Sequence, residues 1–324
     1  MLVPAMLLAV SAVSGAVDGY LLRYFDTYPS RATEAGRSDF DDRLEDLGPA
    51  RLEAWVAFGR ETERRLQTAL RRGDLSLDDR VDALAVLAHI ARERHDVTVR
   101  RRPERDPLFW SGLAANATVF LLVRDDRPLE ERVERARARL RELPRLTAQA
   151  RHALADAAHI APELCPLAAG PLRSLAQFYR EGFPALAARA QSSEVEAIRG
   201  EGAAAARSLE ELALFLDDLG HRAQGSPQLG LLYAETFRLG TGSDEPVTVL
   251  LARAQKDLDA KRKEAAAYGR EAWPGILPGE TAPADDAALL RRVFSRLADD
   301  RARTVFEFVE DYRTQVREVE VFVA

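Results

Sequence analysis

The stretch Asp106–Leu143 limits the fold more than any other part of the chain. From Leu108 to Val123 it carries no charged residue, yet Ser111, Gly112, Asn116 and Thr118 interrupt it. A helix crossing a bilayer needs ~20 consecutive apolar residues, so this run is too short and too interrupted for a stable span. It predicts instead a central helix over about 106–124, buried on most of its circumference, with other helices laid around it. Asp106 is placed to cap it, and Pro107 suits the first helical position. Asp125 and Asp126 close it. Beyond them, Leu129, Val133, Ala136, Leu140 and Leu143 keep a 4-3-4-3 spacing, the signature of one buried helix face. Glu131 and Arg135 form an i,i+4 pair in the favourable order. The charges on the far face read as solvated, and Pro144 is expected to break or kink the helix.

The same grammar runs through the rest of the chain. Val17–Tyr28 reads as a short helix closed by Pro29, and Ser30–Gly48, with its glycines and paired aspartates, as a long surface loop. After Pro49, a face of Leu52, Trp55, Val56, Gly59, Thr62, Leu66 and Leu70 runs to Gly73. Ser76 with Asp79 opens the next helix, whose expected buried stripe is Leu77, Val81, Leu84, Ala88 and Ala91. Further helices are expected at Pro171–Phe183, at Ser193–Leu219 (capped by Ser193 and Glu196, stopped by Gly220), and from Ser226 to Gly240. Pro246–Trp273, Asp286–Leu297 and a segment from Thr304 to the C-terminus complete the series. In the last, Val305, Val309, Tyr312, Val316, Val319 and Val323 hold strict period to the final turn, leaving an apolar face still running where the sequence stops. No stretch alternates with period two. The fold class is all-α: an array of amphipathic helices around the helix at about 106–124, with no significant sheet. Residues 17–324 are expected to form a single helical domain, with a candidate sub-boundary near 144–170. Met1–Ala16 is uncharged and apolar and ends in small residues. It reads either as a secretory signal or as an apolar N-terminal helix docked on the body.

Composition narrows the chemistry. Hydrophobic and charged shares of 47% and 30% belong to a folded chain, and a formal net charge of −6 argues against a basic nucleic-acid-binding face. Cys165 is the only cysteine, which excludes an internal disulfide and a cysteine-based zinc site; flanked by Leu164 and Pro166, it reads as a small packed side chain. His89 and His95 stand six apart and His152 and His159 seven. Neither spacing aims two rings at one metal ion from a straight helix, as i and i+4 would. There is no phosphate-cradling loop, nucleophile elbow or dinucleotide fingerprint. The adjacent acids, from Asp41-Asp42 to Asp299-Asp300, sit mostly at expected helix ends, where capping accounts for them. Asn116-Ala117-Thr118 is formally a glycosylation sequon, but it lies inside the central helix. No catalytic, cofactor-binding or metal-ligating residue is assigned.

Against this background the chain resembles a known family. Asp106-Pro107-Leu108-Phe109-Trp110, the apolar helix after it and the run from Pro128-Leu129-Glu130-Glu131-Arg132 to Pro144 are similar to the N-terminal half of bacterial domain-of-unknown-function family 885. The segment Tyr24–Leu47 is similar to that family's opening, and Leu229–Leu239 and Pro246–Trp273 follow its order of elements. The resemblance implies a longer, mostly helical, exported protein of zinc peptidase-like hydrolase type, with an H-E-x-x-P-G-H motif in the C-terminal half. No His-Glu dipeptide occurs here, so no metal ligand carries over. The expectation is a non-catalytic helical front portion that supplies scaffold and a cleft wall and is inactive alone. It would bind no zinc itself, and a C-terminal catalytic half or a second chain would dock on its apolar C-terminal helix. The alternative is a free-standing helical binding or scaffold module. The expected location is periplasmic or secreted, with cytoplasmic as the alternative.

Overall fold

A computed structural model describes residues 12–299 and 301–323, and all regular structure among them is helical. The all-α expectation holds. The chain divides into two compact units, the first ending at Ser243 and the second beginning at Asp244.

The first unit is built from α1 (Ala12–Thr27), α2 (Pro29–Glu34), α3 (Pro49–Arg72), α4 (Leu77–Arg94), α5 (Arg102–Arg105), α6 (Pro107–Val123), α7 (Leu129–Ala153), α8 (Leu164–Gln177), α9 (Phe183–Arg189), α10 (Val195–Arg222) and α11 (Tyr233–Thr241). Single π-helical turns at His95–Val99 and Phe178–Gly182 extend α4 and α8. Helix α6 starts as its sequence predicts: the Asp106 carboxylate accepts from the Leu108 amide at 3.0 Å and Pro107 takes the first turn. Its polar interruptions serve packing. Ser111 bonds back to the Leu108 carbonyl, and Thr118 meets the Tyr179 hydroxyl at 2.9 Å. Helices α6, α7, α8 and α10 pack on one another and carry most of the core. Helix α10 approaches the second π turn so closely that a Cβ at Gly202 would lie 2.3 Å from the Tyr179 carbonyl oxygen, so only glycine fits there.

Several expectations change. The predicted surface loop at Ser30–Gly48 begins instead with helix α2, opened by Pro29, and Ser30, Thr33, Phe40, Asp41, Leu44, Glu45 and Leu47 are buried. Helix α4 turns the other way round. Leu77, Val81 and Leu84 are exposed, while Ala83, Val86 and Ile90 are buried. The small residues win because α4 lies close to α3, with Ile90 in van der Waals range of Gly59. Helix α7 continues through Pro144 to Ala153. On it, Val133, Ala136, Leu140 and Leu143 are buried as expected, but so are Arg137 and Arg139, which lie outside that stripe. Arg137 reaches Glu194 and Glu201, each at 2.5 Å. Helix α8 begins at Leu164, ahead of its expected start at Pro171, and α10 runs past Gly220, which faces the buried Cys165. Of the apolar segment Met1–Ala16, residues 1–11 lie outside the described residues, and 12–16 belong to α1, with Val13 buried.

The second unit contains α12 (Val247–Ile276), α13 (Asp286–Ala298) and α14 (Val305–Val323). Trp273, Leu277, Leu289 and Val293 form its small core between α12 and α13. Thr304 and Glu307 cap α14 reciprocally, at 3.1 and 3.2 Å. The apolar face of α14 is exposed, from Val309 at 37% to Val305 at 81%.

Candidate functional site: two clefts in the first unit

Two clefts open on either side of one short segment, the π turn His95–Val99 followed by α5; Val97 and Pro103 line both. This segment is locally unusual. π turns inside α-helices occur often at functional sites, and Arg101 sits at φ 51°, ψ 46°, a left-handed conformation costing a side-chain-bearing residue ~1 kcal/mol. The buried His95 ring holds the π turn in place by a 2.9 Å bond from Nε2 to the Thr236 hydroxyl on α11. Trp110 fixes α5 through a 2.7 Å bond from its indole nitrogen to the Pro103 carbonyl.

The wide cleft, about 1000 Å³, lies among α3, the π turn, α5 and the second half of α7. Leu52, Val56 and Ala57 form one apolar side and Ala148 and Ala153 the other, with Thr98, Gln149 and His152 offering hydrogen-bonding groups. Arg145 at its edge bridges to the Glu45 carbonyl at 2.9 Å and to Glu142 at 2.8 Å.

The second cleft, about 650 Å³, is lined by Tyr24, Phe25 and Tyr28 at the end of α1, Arg31 and Glu34 on α2, Arg92 and Glu93 on α4, and the first half of α6. Glu93 is its electrostatic centre. Burial raises its carboxyl above the ordinary carboxylate range; hydrogen bonds from Tyr28 and from the Trp55 indole, the latter at 3.3 Å, pull the other way without cancelling that shift. Tyr24 is pushed up to about 12, first by burial and then by the Glu93 charge. Tyr20 and Tyr28 are raised further for the same reasons, so all three hydroxyls remain protonated donors. One turn before Glu93, His89 meets the Tyr20 hydroxyl at 2.7 Å, and burial, helped by Arg92, lowers its pKa to about 4. Its ring is therefore neutral at physiological pH. Tyr20, Tyr24, Tyr28, Trp55 and His89 stack into one aromatic group, with centroid distances of 4.8 Å for Tyr24–His89 and 5.3 Å for Tyr20–Trp55.

The histidines named from the sequence are kept apart. His89 and His95 hold different hydroxyls, His152 lines the wide cleft, and His159 faces Asp156 at 3.9 Å. Among the described residues, no three His, Cys, Asp or Glu side chains gather as a metal-binding group. Cys165 is buried, and that burial raises its thiol pKa. Sequence reasoning missed the Glu93 group. Its signal was Tyr20, Tyr24 and Tyr28 at intervals of four, matched by His89 and Glu93 at the same interval: polar-tipped residues stacked along single helix faces.

The fold and clefts define an all-helical protein with a wide open cleft beside a smaller aromatic one lined by equal numbers of acids and arginines. The chain belongs to the family described as "Bacterial protein of unknown function (DUF885)", which matches residues 29–324, most of its length. No curated protein matches it. A solved structure described as "a putative lipoprotein of unknown function from Shewanella oneidensis" superposes with a TM-score of 0.68 at 18% identity, a likeness of fold. The match covers 97% of this chain but 57% of that one, so this chain spans a little over half the length of its structural relative.

Proposed function

We propose that this chain is the helical, non-catalytic portion of a metallopeptidase-like hydrolase, where it supplies scaffold and one wall of the substrate cleft. The wide cleft carries this reading: about 1000 Å³ of space with apolar sides from α3 and α7 and polar groups at Thr98, Gln149 and His152. An extended peptide suits such a surface, because its side chains need apolar pockets while its backbone amides need scattered partners. Zinc chemistry would come from a catalytic portion bearing the H-E-x-x-P-G-H motif. The greater length of the Shewanella chain leaves room for such a portion in a protein of this fold. The exposed apolar face of α14, with Val309, Val316 and Val319, is the proposed dock for that portion. The lipoprotein description of the relative favours a periplasmic or secreted location over a cytoplasmic one.

The test uses the isolated chain, labelled and quenched-fluorescent peptide libraries, and buffers with and without added zinc. The expected result is peptide binding without turnover, weakened about tenfold or more by Val56→Glu in the wide cleft. Stoichiometric zinc accompanied by turnover would overturn the non-catalytic reading. Binding indifferent to Val56→Glu would remove the wide cleft from it.

A further inference from the structure

The second cleft is lined by three arginines and three acids, but one of those acids faces the cavity without a salt bridge. Of the six charged side chains that line it, Arg31 pairs with Glu34 at 2.6 Å, and Arg102 with Asp96 at 3.5 Å. Asp96 is held further by Arg100 at 2.8 Å, and Arg102 by Asp106 at 3.1 Å while lying over the Phe109 ring. That leaves Glu93 and Arg92. Neither has an ion-pair partner among the described residues; Glu93 is half-buried and Arg92 is exposed. Trp55 and Tyr28 give the Glu93 carboxylate hydrogen bonds but no positive charge.

A largely desolvated carboxylate without a salt bridge is costly in a resting fold, and the exposed Arg92 beside it offsets the charge only in part. Here it faces a cavity of about 650 Å³, a volume within the range of small-molecule sites. Tyr24, Phe25, Tyr28 and Phe109 line the same cavity. Aromatic faces attract cations through their ring quadrupoles, and the attraction strengthens where water is excluded. Negative charge facing the cavity and aromatic walls together select one kind of occupant.

We propose that this cleft binds a small organic ammonium ion, with the ammonium group at Glu93 and the organic body against the aromatic rings. The same chemistry has two sources, a simple amine or the amino end of an amino acid or short peptide. Arg92 separates them. A carboxylate on the ligand would pair with its guanidinium, whereas a plain amine would be repelled by it. The site shares only Val97 and Pro103 with the wide cleft and does not rest on the hydrolase reading.

The test is calorimetric titration of the whole chain with benzylamine, benzyltrimethylammonium, L-phenylalanine and phenylalanylglycine, with benzyl alcohol as the uncharged control; Trp55 fluorescence gives a second readout. At least one ammonium probe should bind about tenfold or more tightly than benzyl alcohol, and Glu93→Gln should abolish that preference while leaving the chain folded and no less stable. A purely structural Glu93 would not combine intact stability with lost binding. Arg92→Ala should weaken the zwitterions if they are the ligand class and tighten benzylamine if amines are. Equal binding of benzyl alcohol and the ammonium probes, unchanged affinity in Glu93→Gln, or no ammonium binding up to about 10 mM, weaker than the millimolar affinities of ordinary small sites, would each overturn the proposal.

Discussion

Two charged groups in the first unit, one buried and one half-buried, are built in different ways. Arg139, on α7, is fully enclosed. Its guanidinium reaches the Ala117 carbonyl at 2.9 Å, the Phe40 carbonyl at 3.1 Å, the Pro29 carbonyl at 3.2 Å and the Thr33 hydroxyl at 2.5 Å. Acidic groups with donors of their own surround it, although its Nε and the Glu45 Oε2 are buried without a hydrogen-bond partner. Thr33 donates to Asp41 at 2.6 Å, Asp41 faces Arg127 at 3.6 Å, and Glu45 accepts from the Ser30 amide and hydroxyl. Glu93, by contrast, has two neutral donors, no salt bridge, only the charge of the exposed Arg92 beside it, and a cavity in front of it. The first arrangement ties α2, α6, α7 and the 40s segment into one piece. The second holds a charge without a salt bridge at a surface opening. Burial of charge alone does not distinguish structure from function; whether the chain supplies the matching groups does.

The largest effect should come from breaking the matched group. Arg139→Ala leaves three carbonyls and the Thr33 hydroxyl without their shared donor and removes the positive charge near Asp41 and Glu45, and loss of one partner in a buried charged network typically costs ~3–5 kcal/mol. The urea midpoint should fall sharply, and protection of the α2 and 40s-segment amides in hydrogen exchange should fall with it. A change within ~1 kcal/mol would show that these carbonyls find water or other donors, so that the group is less closed than its geometry implies.

The next effect concerns the aromatic group beside Glu93. Folding lowers the His89 pKa from 6.5 to about 4, so between those values the unfolded chain binds the proton and the native chain does not. The stability this gives is complete above pH 6.5 and is lost as the pH falls toward 4. Allowing for a ring that is only partly buried, the loss should be on the order of 2 kcal/mol. His89→Gln, which keeps an acceptor for Tyr20 but cannot titrate, should flatten this part of the stability profile. Urea unfolding at pH 7 and pH 4.5 for both chains measures the difference, and parallel profiles would refute it.

How much of this was legible in the sequence depended on whether the deciding partners were local. Helix α7's stripe could be read because one face alone is apolar, and the caps at Asp106, Ser76 and Thr304 because a cap is settled within a few residues. Helix α4 was misread because Leu77, Val81 and Leu84 on one side compete with Ala83, Val86 and Ile90 on the other, and its packing against α1 and α3 decides between them. The Ser30–Gly48 stretch carries turn residues and aspartates that ordinarily mean solvent. It is buried because Arg139, about 100 positions away, supplies its donors. The second cleft draws on residues from Tyr24 to Asn116 across five helices, and no spacing rule joins them. Periodicity reports which way a helix faces; it does not report what the opposite side of a cavity brings.

The smallest effect has the sharpest sign. Glu93→Gln retains an oxygen to accept from Trp55 and Tyr28 while removing the charge. Because burial raises the Glu93 pKa in the native chain, any stabilisation from this group exists at low pH, where the carboxyl is protonated in both states, and is lost as the pH rises through the native value. The wild-type chain therefore carries a penalty at pH 8 that the variant lacks. The variant should melt a few degrees higher at pH 8 and indistinguishably near pH 4. A gain in stability on removing a charge is expected where that charge is kept for binding, and Arg139→Ala should show no such gain. If Glu93→Gln instead melts lower at pH 8, then Trp55, Tyr28 and Arg92 already match the carboxylate, and the two charged groups are built alike.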